Sequence, residues 1–385
     1  MRTKTAMVFC ILSFSIGMLG SALAADNLKL IDTVVVIYAE NRSFDNLYGN
    51  FPGANGVAKA SARARIQRDR DGKPLRELPP IWEGLTGKGV TPPVTQAETE
   101  HLPNRPFRAD DPKGFNLGYG VITRDLWHRF YQNQMQIDGG RNDKFVAYAD
   151  SGALVMSLWD GSRTAMWKVA RKYVLADNFF MGAFGGSFLN HQWLVCACAP
   201  YYPNADTSPA KPSIAVVEAD GVTLKAADNS PKSAMDGIPK FASDGNLTPD
   251  FYAVNTMQPP YQPSGNEPAK GGDKALADPA KPTTLPPQIE PTIGDLLSLK
   301  HINWAWYSGA WQDVFDHGNK TPVPNLQYHH QPLNYYANFA PGTASRAEHL
   351  RDGGLAGVEF IKAIDAGTLP QVSFYKPQGD LNEHS

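Results

Sequence analysis

Val34-Val35-Val36-Ile37-Tyr38-Ala39-Glu40-Asn41-Arg42-Ser43-Phe44-Asp45 is the stretch whose reading decides the fold. Its continuous β-branched run has no polar position in it, which predicts a strand buried on both faces, as in a mostly parallel sheet. Where a parallel strand ends, the backbone opens into the crevice in which α/β proteins bind ligands. Glu40 and Asn41 would project two oxygen donors there, half of a metal site. A plainer reading of the same residues is a strand leading into a helix, with Asn41 or Ser43 as N-cap and Asp45 near the positive end of the helix dipole.

Working outward, the chain shows the alternation that such a strand calls for. Residues 292–300 read as a helix and 302–309 as a strand; a helix near 355–364 is followed by a strand at 372–375. These helix-then-strand units predict a doubly wound, mostly parallel α/β sheet flanked by helices. Trp304 and Trp306 should face core or helix. An amphipathic helix is expected at 161–172, a strand at 174–180, and a helix over 123–135 that carries His128. Residues 203–290 are rich in Pro, Ala, Asp and Lys and read as an insertion wrapped on the surface, with a small hairpin at 214–217 and 222–224.

The second focus is Gly185-Gly186-Ser187-Phe188-Leu189-Asn190-His191. The glycines allow backbone conformations closed to other residues, and Ser187 falls where a helix over 188–199 would begin. Ser187 is then either an ordinary N-cap or a nucleophile placed where backbone N–H groups and the helix dipole can hold an anion. As N-cap it would have Asn190 and His191 on its own side of the helix, so one segment could offer a hydroxyl, an amide and an imidazole to one ligand. His329 and His330 precede Pro332 closely. On an extended chain neighbours point to opposite sides, so at most one of them should serve a site directly unless the turn is irregular.

The start of the chain reads as a processing signal. Arg2 and Lys4, an apolar run over 6–19 and Ala22-Leu23-Ala24 predict a secretory signal peptide, residues 1–24, and a periplasmic or secreted protein over 25–385. Cleavage would remove two cations and no anion, moving the formal charge from −2 to −4. That leaves no basic field for nucleic acid. No later segment is long and apolar enough to span a bilayer. Cys10 lies in the signal, and Cys196 and Cys198 bracket a single residue, so two buried thiols are expected in place of a disulfide.

The Glu-Asn-Arg-Ser-Phe-Asp hexad at 40–45, together with the string from Trp127 to Val146 and the Gly-Gly-Ser segment, resembles the bacterial phosphoesterase family of AcpA-type acid phosphatases and phosphatidylcholine-hydrolysing phospholipases C, within the alkaline-phosphatase-like superfamily. The resemblance implies that Glu40, Asn41 and Ser187 bind one divalent metal ion and that the hydroxyl in the Gly-Gly-Ser segment is the nucleophile. Ser in this place with Phe-Leu-Asn-His after it is similar to the phosphatase branch. It also implies that His128, one of His329 and His330, and His384 lie at the phosphate pocket. Family members continue past the position of His384 into a motif whose aspartates complete the metal shell, so the resemblance covers part of the family's catalytic domain.

The chemistry implied is metal-assisted displacement at phosphorus, with a phosphoseryl intermediate on Ser187. Histidines such as His128, His329, His330 and His384, cationic in mild acid, would bind phosphate oxygens and protonate the leaving alkoxide, which fits an acid optimum. Three readings follow: a secreted phosphomonoesterase, a phospholipase C acting on choline phospholipids, and a non-catalytic phosphate- or metal-binding protein.

Overall fold

A computed structural model describes residues 28–319 and 325–384. The signal peptide expected at 1–24 lies outside the described residues. The strands are β1 (Val34–Ile37), β2 (Phe107–Arg108), β3 (Ser157–Leu158), β4 (Trp304–Gly309), β5 (Leu350–Gly354) and β6 (Val372–Lys376). Strands β1, β6, β4 and β5 form one sheet in that order, every pairing parallel, while β2 and β3 pair with each other. Val372 is in register with Val34 on one side and Trp304 on the other.

The central strand shows why helices cover both faces. β4 is buried along its whole length, and its period-2 alternation sends Trp304 and Trp306 to one face and Ala305 and Tyr307 to the other. On the first face the tryptophans join Phe374, Phe188 and the partly buried Ile293 and Leu297 in the main core. On the second, Phe360 of helix Val358–Asp365 packs against Ala305, Tyr307 and Tyr375. The helix before β4, Ile293–Leu299, starts at a capping box made by Thr292 and Asp295. It crosses so close to the sheet that a Cβ on Gly294 would overlap the Trp304 ring, so only glycine fits. The doubly wound α/β expectation is therefore met.

Several local expectations are revised. β1 is an edge strand, hydrogen-bonded only to β6 among the described residues, and Val34, Val35 and Ile37 are 48%, 41% and 64% exposed. The β-branched run gave the strand, but a run alone does not say whether a second neighbour covers it. The helix expected over 123–135 is Phe130–Ile137, and His128 sits in the segment before it. That segment is held off the helix by side chains from elsewhere: Asp150 Oδ1 accepts from Trp127 N at 2.8 Å and Asn255 Oδ1 from Phe130 N at 2.9 Å. Residues 174–180 form no strand; Val174, Phe179 and Phe180 stand exposed. The helix expected over 161–172 is confined to Ala165–Ala170, capped by Thr164.

The insertion is not merely wrapped on the surface. Leu224, Leu247, Met257 and Leu285 are buried in the same core as Trp304 and Phe188. Arg70 ties it down, donating to the carbonyls of Ser233 at 3.0 Å and Gly237 at 2.8 Å, and to that of Pro231. A single bridge, Val217 to Leu224, is what exists of the hairpin. Cys196 and Cys198 form a disulfide. The short loop closes because Ala197, at the end of helix Ser187–Cys196, turns left-handed (φ 53°) and brings the two Cα atoms to 5.1 Å, inside the disulfide range.

Candidate active site

The groups singled out in the sequence converge at the C-terminal ends of the parallel strands, where an α/β sheet opens. Glu40 follows β1, and its backbone N–H donates to Asn382 O at 2.8 Å, which ties the loop after β6 to the loop after β1. Lys376 closes β6. Its Nζ lies 3.0 Å from Glu40 Oε2, and both side chains are almost sealed from solvent. The other Glu40 oxygen accepts from His330 Nε2 at 2.8 Å.

His330 is set by β4, since its carbonyl accepts from Trp306 Nε1 at 2.9 Å and from Ser308 Oγ at 3.2 Å. His329 and His330 belong to a 3₁₀ turn, Tyr328–His330. Three residues per turn place neighbours about 120° apart, not 180°, so both imidazoles face the site. The chain is not extended here, so the exception attached to the expectation of a single imidazole applies. His329 Nε2 lies 3.0 Å from Ser187 Oγ, and the rings of His329 and His330 are 4.9 Å apart. Glu40 and Ser187, about 150 positions apart in the chain, are thus joined through two adjacent imidazoles.

Ser187 is the first residue of its helix, with Gly186 as N-cap, so of the two readings the ordinary N-cap does not hold. Gly186 has φ −76°, open to any residue. Its requirement is space, because a Cβ there would overlap the carbonyl oxygen of His128. The glycine therefore lets the His128 segment lie against the serine. The Asn190 amide is committed to the same loop, accepting from Ala183 N at 3.2 Å and donating to Gly185 O at 3.1 Å and Gly186 O at 3.2 Å. A ligand would have to displace these bonds. His191 is fully buried, its Nδ1–H donating to Ser187 O at 2.7 Å, and its ring stacks on His330 at 5.2 Å.

At the mouth, His128 and His384 meet edge to face at 5.5 Å. Asp125 approaches both, at 3.9 Å from His128 Nδ1 and 4.0 Å from His384 Nε2. Ser187, His128 and Asp125 line one cavity of about 250 Å³. Asn41, next to Glu40, is exposed and lines a neighbouring cavity.

Residues 31–385 match the Phosphoesterase family. The chain belongs to the Phosphoesterase family. No curated protein matches it. Membership identifies it as a phosphoric ester hydrolase whose substrate is a small-molecule phosphate ester. Among the described residues no helix is long and apolar enough to cross a membrane.

A phosphoesterase with a divalent ion needs converging donors, and the structure supplies them. Ligand atoms of Glu40, His329 and His330 lie within 4.8 Å of one another. Buried Nδ1 atoms of His329 and His330 have no hydrogen-bond partner, and neither has Glu40 Oε2, whose ion pair with Lys376 is close but poorly angled. Unsatisfied buried donors and acceptors of this kind fit an ion. Of the expected ligands this group contains Glu40, and it adds two imidazoles.

The electrostatics also correct the expected protonation states. Burial would raise the Glu40 carboxyl, but the charges around it, Lys376 first, outweigh burial and bring it to about 2. Burial lowers Lys376 to about 8, with Glu40 holding it up. Burial, with Lys376 beside them, holds His191 and His330 well below the ordinary imidazole value; burial and then His330 do the same to His329. These three rings are neutral in mild acid, not cationic, because a second positive charge next to Lys376 in a dry site is unfavourable. His384 is lowered too, first by burial.

Lys376 and Asp125 were not singled out in the sequence. Lys376 had a signal: a charge directly closing an apolar strand, as Glu40 follows one, on the strand that pairs with β1.

Proposed function

We propose that this phosphoesterase is a secreted acid phosphatase that cleaves phosphate monoesters through a phosphoserine on Ser187. The observation that carries the reading is the 3.0 Å contact of Ser187 Oγ with His329 Nε2, one imidazole away from a carboxylate that burial has failed to neutralise.

His329 can serve the hydroxyl or an ion, and Ser187 already sits on its Nε2, so we assign it the hydroxyl. As a neutral base with its proton on Nδ1, it accepts the Ser187 proton while Oγ attacks phosphorus. Glu40 and His330 would hold a divalent ion beside it, which when bound supplies Lewis-acid stabilisation of the phosphate oxygens. His128 and His384, at the mouth, are placed to protonate the leaving alkoxide. Water then enters, the mouth histidine that gave up its proton takes one from it, and His329 returns the first proton to Ser187 Oγ as the phosphoserine is hydrolysed.

The test is Ser187→Ala with a chromogenic phosphate monoester and acid-quench trapping of labelled phosphoenzyme. Loss of both signals is expected, by about three orders of magnitude or more in turnover. Turnover retained by Ser187→Ala sinks the assignment.

A phospholipase C reading has one observation in its favour. Tyr173, Val174, Phe179 and Phe180, shortly before Ser187, are exposed apolar side chains that suit a lipid surface. Comparing hydrolysis of a phosphate monoester with that of phosphatidylcholine vesicles separates the two.

A further inference from the structure

Beside the catalytic cluster lies a second cavity, of about 270 Å³, that none of the chemistry above uses. Its walls are flat and apolar: Tyr48, Tyr119, Trp159, Trp167, Met166 and Ile122. Tyr48 stacks on Trp167 at 6.1 Å and 12°, and Tyr119 leans on Trp159 at 6.0 Å, so the aromatic surfaces are held in place. His384 closes one end. Arg42 lines this cavity and the next one, which His128 shares in turn with the Ser187 cavity. The cavities thus adjoin from Ser187 to the aromatic cleft, which gives the ester substituent of a phosphate held between Ser187 and the two mouth histidines a place to extend past His384.

We infer that the cleft is a leaving-group subsite for an uncharged aromatic or similarly flat apolar alcohol, making aryl phosphates the preferred substrate class; the inference rests on the phosphatase reading of Ser187. The charges at the cleft argue the same way. Arg42 and Glu383 both line it, one of each sign, so it offers no net attraction to a second phosphate. An aromatic box could in principle hold a quaternary ammonium group. Here the aromatic faces already carry the protein's own cations: the Arg42 guanidinium lies 5.9 Å over Trp159 and that of Arg163 5.2 Å over Tyr119. A choline group would meet the Arg42 charge that lines the cleft, whereas a neutral ring gains stacking and apolar burial without that repulsion.

The experiment uses the full chain and non-hydrolysable phosphonates, read by quenching of intrinsic tryptophan fluorescence, since Trp159 and Trp167 form the walls. 1-Naphthylmethylphosphonate should bind about tenfold or more tighter than methylphosphonate, from the buried ring area alone. Phosphocholine should bind no tighter than methylphosphonate. Met166→Trp and Ile122→Trp, at exposed rim positions, should fill the cleft and remove the naphthyl preference while leaving methylphosphonate binding unchanged. No binding of the naphthyl compound, equal binding of it and methylphosphonate, or a preference that survives both fillings overturns the subsite, and tighter binding of phosphocholine replaces it with a choline site. Hydrolysis by wild type and Ser187→Ala is measured in parallel. A naphthyl preference in a protein whose turnover does not depend on Ser187 overturns the phosphatase reading alone; Ser187-dependent turnover without that preference overturns the subsite alone.

Discussion

Mild acid should destabilise this protein, and the cause lies at the site itself. His191, His329 and His330 are sealed in the fold and held well below the ordinary imidazole value by burial and the nearby charges. In the unfolded chain each takes up a proton near pH 6.5, as a free imidazole does. Below that pH the unfolded state binds more protons than the folded state, so stability rises with pH and falls on acidification. Over the whole window from about pH 7 to 5.5 each ring is worth at most slightly more than 1 kcal/mol, so the three together cost up to about 4 kcal/mol. That is a large part of the roughly 5–15 kcal/mol typical of a folded domain. Glu40 does not enter this window: its carboxyl is lowered to about 2, so its stabilising contribution is lost only as pH falls from the ordinary 4.5 toward that value. The assay is urea unfolding in chelator at several pH values across the window. His191→Gln should flatten the pH dependence by about a third. A urea midpoint that stays level or rises as the pH drops to about 5.5 would refute the claim that these rings are neutral and buried.

Glu40→Gln should strand the buried Lys376 ammonium, costing about 3–5 kcal/mol in urea unfolding, and should also weaken divalent-ion binding by calorimetry. Adding Lys376→Met should recover stability without recovering the ion; if the single variant is as stable as wild type, the ion pair at 3.0 Å is not what holds this corner together. Gly186→Ala should lower turnover by pushing the His128 segment away from Ser187, and wild-type kcat would show that the close approach there is not needed. Arg70→Ala removes charge-assisted bonds to three carbonyls of the insertion and should cost about 2–4 kcal/mol, with new proteolytic cleavage near residues 231–237; unchanged resistance to protease would mean that other contacts hold that segment.

How far the chain could be read depended on whether a feature was local. The parallel sheet and the helix-then-strand units were legible because periodicity determines them. The edge position of β1 was not, since a strand's second neighbour is a property of topology and leaves no mark on its own residues. Glu40 and Ser187 were legible as donors, and His329-His330 as a pair. What joined them was not, because it is a 3₁₀ turn whose direction is fixed by Trp306 and Ser308 gripping one carbonyl from β4. The protonation states were the hardest part. Four histidines in a row of candidates suggest cationic phosphate ligands, yet one lysine at the end of β6, packed against Glu40, supplies the positive charge and makes any further charge on His191, His329 and His330 costly. The same burial that denies these imidazoles a proton leaves them neutral, the form in which an imidazole accepts a hydroxyl proton or binds an ion. A site that would be acid-labile as a fold is for that reason kept competent as a base in mild acid, and its fall in activity at low pH should follow unfolding and not the titration of His329.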